Sequence, residues 1–191
     1  MTQQILGVDV SRLRRMPTGL TLTDRAAASK WLTIPVPTVN RMMPAVTRLV
    51  ADLPVGTTPE VVWTSGAAEL LVHTDQVTLA ASAGVLAVSI GVECDQVGEP
   101  SSVTVSFATG TDKNPRGLFL ATFERPAGPA VVVDVWADAL NAFAWESVVT
   151  LATELAAAAG QDGQGRPLVP GMIAATGDAL QVLPMPRAAA R

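Results

Sequence analysis

An α+β fold follows from this chain: an antiparallel sheet of about five to seven strands packed on a long C-terminal helix, with one shorter N-terminal helix. Three observations predict it. Apolar and polar residues alternate in short runs between residues 61 and 136, short turns join the runs, and an apolar-rich helical stretch follows at 137–159. Alternation is the mark of half-buried strands, and short connections between consecutive strands mark an antiparallel meander.

Taken in order, residues 1–37 read as an irregular or partly extended arm. Residues 5–10 suit a short strand. Asp24 suits the cap of a short helix reaching Trp31, because its carboxylate accepts the free N–H groups at a helix start. Pro35 and Pro37 then force an extended segment. The spacing of Val39, Met42, Met43, Val46, Leu49 and Val50 predicts a helix over 38–53. Pro44 fits this helix in its first turn, with ordered structure starting near Met43.

After a turn-rich break at 53–59, strands are predicted at 61–63, 69–74 and 77–81, and a turn at 82–84. Leu86, Val88, Ile90 and Val92 alternate with smaller or polar residues, as do Val103, Val105 and Phe107. Residues 110–117 form a polar loop too long for a tight hairpin. Strands at 118–124 and 130–136 complete the meander, with a proline-rich turn at 126–129 between them.

The helix at 137–159 places Leu140, Phe143, Ala144, Val148, Leu151 and Leu155 on one face, a core stripe at 3.6 residues per turn. Its other face carries Asp138, Ala142, Trp145, Val149 and Ala156, which is too apolar for a solvated surface. An interface helix, or one buried on both sides, has this pattern. The competing reading packs Trp145 under a loop or under the arm. Residues 160–165 read as a flexible Gly-rich linker. The organisation is therefore an arm at 1–37, a single α+β domain at 38–160, and a Gly/Pro-rich C-terminal tail at 161–191. The tail carries an apolar patch at 168–183 that suits docking on the body or on a neighbour, and frays over 188–191.

Composition narrows the function. The chain has 191 residues, enough for a core without disulfides or metals. It is 49% hydrophobic and 16% charged. Charged residues make up about a quarter of an ordinary domain. A surface this poor in charge leaves apolar patches, which mark contacts with partners. The net charge is −4, and Arg12, Arg14 and Arg15 form the one dense basic cluster. That footprint is too small for a nucleic-acid binder and reads as a solvated arm. The lone Cys94 gives no disulfide framework and fits a reducing cytoplasm. No secretory signal opens the chain, and the uncharged stretch 76–92, broken by Gly and Ser, alternates like a strand rather than spanning a membrane. Eleven Arg against two Lys, with abundant Ala, is the composition of a GC-rich bacterial genome.

Chemistry finds few materials. His73 is the single histidine and lies two residues before Asp75, whose carboxylate suits orienting an imidazole. The nearby hydroxyls, Thr64 and Ser65, lack a Gly-x-Ser-x-Gly elbow. Cys94 sits between Glu93 and Asp95, and flanking carboxylates make it a poor nucleophile. One His and one Cys make no ordinary zinc site, and Glu93, Asp95 and Glu99 read as a solvated acidic loop. The glycines at 160, 163 and 165 follow a helix, where a dinucleotide cradle needs them before one. Asp134, inside an apolar run, faces solvent or pairs with Arg116 or Arg125.

No cofactor and no metal is therefore expected. The leading reading is a non-catalytic interaction or assembly protein, cytoplasmic, binding itself or another protein. It forms a homo-oligomer or a subunit of a larger complex. The alternative is a module or enzyme that binds a small apolar ligand between sheet and helix, with His73, Asp75 or Asp134 as its polar groups. A separate third reading is a structural component of a phage-like or shell assembly that laces its neighbours with arm and tail.

Overall fold

The structure, a computed structural model, describes residues 31–109, 121–122 and 125–187. The expected strand at 5–10, the helix from Asp24 and the basic cluster lie outside the described residues. So do the 110–117 loop with Lys113 and Arg116, the last residues 188–191, and most of the 118–124 strand. The described chain runs β1 (Leu32–Pro35), α1 (Val36–Val50), β2 (Glu60–Ser65), β3 (Ala68–Ser82), β4 (Val85–Glu93), β5 (Ser101–Ala108) and β6 (Ala121–Thr122). It continues through α2 (Ala130–Ala158), β7 (Leu168–Thr176) and β8 (Ala179–Pro186).

The fold is α+β and, among the described residues, every strand pairing is antiparallel, as the short connections predict. The strands form two sheets: a five-stranded meander in the order β2-β3-β4-β5-β6, and a three-stranded sheet in the order β1-β8-β7. Helix α2 packs on α1, β5, β7 and β8, and α1 packs along β3. The turn between β3 and β4 ties the sheets together. The Gly84 N–H donates to the Ala175 carbonyl of β7 at 2.9 Å, and the Thr109 N–H donates to the Gly84 carbonyl at 2.8 Å.

Several elements depart from the sequence reading. The first is α1, which begins at Val36 and holds Pro44 in its interior. Burial of Val39 and Met43 on the N-terminal side of Pro44 outweighs the single helical bond the proline removes. The second is the run 130–136, which starts α2 and is not a strand. Its β-branched valines favour a strand locally. Yet Val132, Trp136, Leu140 and Phe143 are all buried at helical spacing, so tertiary packing continues the helix back to Pro129. The third is the predicted tail. Residues 168–186 form the β7–β8 hairpin, in which Ile173, Leu180 and Val182 are fully buried. The apolar patch thus docks on the body, and β1 from the predicted arm pairs with β8, Leu32 opposite Val182.

The two strands predicted at 69–74 and 77–81 are one strand, β3, interrupted by a bulge. His73 pairs with Gly91 and Val77 with Ile90, so residues 74–76 are extra. The bulge needs a glycine opposite it. A Cβ on Gly91 would lie 2.8 Å from Gln76 Cβ. It also divides the edge of β3 between two neighbours. Before it, β2 supplies the ladder. Beyond it, α1 takes over: the Asn40 amide donates to the Leu79 carbonyl at 3.1 Å, and its oxygen accepts the Leu79 N–H at 2.7 Å. The Thr47 hydroxyl donates to the Thr74 carbonyl. A helix laid along a strand edge in this way satisfies backbone groups that would otherwise invite another chain.

Candidate functional site

Strand register decides what faces what around His73. Glu60 of β2 pairs with His73, Val62 with Leu71, and Leu71 in turn with Glu93 of β4. Alternation then puts Glu60, Val62, Glu69, Leu71, His73 and Glu93 on one face of the sheet. His73 is 6% exposed. Its Nε2 lies 2.9 Å from Glu93 Oε1, and its Nδ1 lies 3.7 Å from Glu60 Oε1. The imidazole is thus held from both sides by carboxylates on neighbouring strands. Asp75, expected to orient it, is exposed on the bulge.

This arrangement fixes the ring between two carboxylates. Thr64 and Ser65 lie four and five residues along β2 from Glu60, on the order of 13 Å away at strand rise. They cannot serve as nucleophiles to this histidine. The two carboxylates also sit on opposite nitrogens, so imidazole and carboxylates do not converge on one ion. Among the described residues no group of three or more His, Cys, Asp or Glu is arranged to hold a metal.

Next to this clamp, sharing Glu93, lies an open groove of about 770 Å³. Three parts of the chain build it: β2 and the start of β3, the loop after β4, and the first turns of α2. Its apolar surface comes from Val62, Val131 and Val135, which are 55%, 42% and 47% exposed. Aliphatic side chains this open are ordinary when scattered, as Leu49 and Val55 are, but these three line one groove. Around them stand Glu69, Glu93, Asp95 and Glu99, and none of the residues lining the groove is cationic. Cys94 also lines it, half-buried. Trp136 joins the groove to the core, its ring 6.3 Å from that of Trp63, which in turn meets Phe143 edge-on at 5.7 Å. Trp63 Nε1 is buried there without a hydrogen-bond partner.

The face of α2 expected to form an interface is largely used inside the molecule. Ala142 and Ala156 are buried; Trp145 is half-buried and packs on Phe107 of β5 with ring centroids 6.3 Å apart. Val149 is half-buried, and Asp138 is exposed. Asp134, placed by the strand reading on a face with Val132 and Trp136, points outward from the helix and is ion-paired with Arg125. Sequence reasoning missed the groove residues Val62, Val131 and Val135. Val131 and Val135 stand four apart, one helical turn, which exposes both together once the segment is read as helix.

Among the described residues no helix is long and apolar enough to cross a membrane. Comparisons with protein-family models, with curated proteins and with solved structures find no match to this chain.

Proposed function

We propose that this protein is a non-catalytic interaction module that works in the cytoplasm as a homo-oligomer or as a subunit of a larger complex, and that the groove at the start of α2 is its contact surface. One observation carries the reading: three exposed valines gathered in a groove ringed by four carboxylates. An apolar floor rewards burial of a partner's aliphatic side chains, and an acidic rim favours a partner with flanking cations. The space between the five-stranded sheet and α2 is filled by Trp63, Trp136, Leu140 and Phe143, which supports contact at the groove over a ligand held between sheet and helix.

Native mass spectrometry on protein purified gently from its own host tests this. The expected result is a multiple of 19.8 kDa or an added protein mass. Val135→Asp should remove that extra mass while leaving the circular dichroism unchanged, because the side chain is already half in solvent. A bare monomer, or an assembly indifferent to Val135→Asp, overturns the reading.

A further inference from the structure

The groove's charge has a counterpart in the same chain. Residues 1–30 hold five of the 13 cationic side chains and two of the 17 acidic ones, so this segment is net positive and the remainder net negative. Within it, residues 10–16 carry Arg12, Arg14 and Arg15 with no acidic residue, interleaved with Val10, Leu13 and Met16. Apolar side chains alternating with cations match a floor of valines within a rim of carboxylates. Four of the described cations are engaged elsewhere: Arg125 pairs with Asp134 and Arg166 with Asp162, Arg41 donates to the Thr38 hydroxyl, and Arg48 donates to the Pro54 and Thr57 carbonyls.

We infer that residues 10–16 occupy this groove in their own molecule, with the arginines against Glu69, Glu93, Asp95 and Glu99 and the apolar side chains on Val62, Val131 and Val135. This rests on the groove being a contact surface, and it names the first occupant of that surface. Reach permits it. Fourteen residues lie between Met16 and Trp31, where the described chain begins, a span of up to roughly 50 Å when extended. A chain of this length folds to a radius of gyration of only about 16 Å. Tethering then favours the same-chain contact, because a short linker holds the segment at an effective concentration on the order of millimolar. An external partner has to displace it, so the segment sets a threshold for binding.

Cys94 makes the contact measurable in the full chain. Ser11→Cys places a second thiol beside the arginines. Under mild oxidation a disulfide should form between residues 11 and 94 within one molecule, read as a loss of two hydrogens in the intact monomer mass. Formation should be at least about tenfold faster than for Thr2→Cys, reflecting a raised local concentration. It should fall to the Thr2→Cys rate when Arg12→Glu, Arg14→Glu and Arg15→Glu are added, and it should slow in high salt. Equal rates with and without the arginines overturn the proposal, and so do disulfides formed only between molecules. If the cross-link fails while Val135→Asp still releases a partner mass, the groove remains a contact surface and only its self-occupancy is lost. If the cross-link forms and no partner is found, the self-contact stands and the assembly reading falls.

Discussion

The two sheets of this molecule are built alike and buried differently. In the five-stranded sheet, β4 and β5 alternate between fully buried and partly exposed residues, because one face meets the core and the other meets water. In the three-stranded sheet, residues 170–175 of β7 are buried without interruption, as are residues 179–182 of β8. That hairpin is enclosed by α1, α2 and the neighbouring strands. Both sheets are antiparallel ladders. What differs is the number of wet faces, and that number decides which sheet can be recognised from its sequence and which tolerates change.

The largest expected effect lies in the enclosed sheet. Ile173→Ala should destabilise the fold by about 2–5 kcal/mol, the range for deleting a fully buried aliphatic side chain. Ser89→Ala, on the wetter side of β4, removes a hydroxyl contact with Thr104 at 2.9 Å and should shift stability by no more than about 1 kcal/mol. Urea unfolding midpoints of the two variants test the contrast, and similar values would mean that burial of both faces brings no extra dependence on side-chain volume.

The glycines at the two bulges reverse the order. Gly171 sits at the β7 bulge under the Sδ and Cγ of Met185, atoms that rotation of this flexible side chain about its first torsion swings aside, with the Met185 Cβ farther off than the Gln76 Cβ is from Gly91. Gly91 faces the Cβ of Gln76, which moves only with the backbone. Gly91→Ala should therefore cost about 1–3 kcal/mol, and Gly171→Ala less, although Gly171 lies in the drier sheet. Thermal unfolding of both variants decides whether neighbour flexibility or burial governs.

The smallest effect concerns the turn that leads from α2 into β7. The Asp162 carboxylate accepts the Arg166 and Gln164 N–H groups at 2.8 and 2.9 Å and the Arg166 Nε–H at 2.7 Å. The backbone bond from Arg166 is the largest influence and, with the Arg166 side chain and the Gln164 N–H, holds the Asp162 pKa below the ordinary 3.8 although burial opposes them. Because the folded value is depressed, the contribution is present above the unfolded value and is lost as pH falls through the folded one. The stability gap between the wild type and Asp162→Asn should thus be constant near neutrality and close below about pH 4. A gap that persists undiminished at pH 2 would show that the turn depends on shape and not on charge.

Legibility follows the same division. Leu86, Val88, Ile90 and Val92 announce β4 because each large apolar residue alternates with a smaller or polar one. The β7–β8 hairpin, dry on both faces and rich in proline, offers no period and reads as a tail. Helix α2 is legible from Ala137 onward, but its first turns carry valines whose local preference is for strand. The site suffers most. Val62, Glu93 and Val135 are brought together by a strand register, a loop and a helix start, and no spacing along the sequence encodes that meeting. The partners of His73, thirteen residues before it and twenty after, are likewise set by which strands pair and in what register.

The pairing of β1 with β8 has a consequence for how the molecule is made. Gln181 donates to Thr33 across 148 positions of sequence. During synthesis the five-stranded meander can assemble from neighbouring hairpins as they emerge, whereas β1 has no mate until residues 179–186 have left the ribosome. For most of translation β1 waits unpaired on both edges, so the nascent chain is most exposed to mispairing just before β8 arrives.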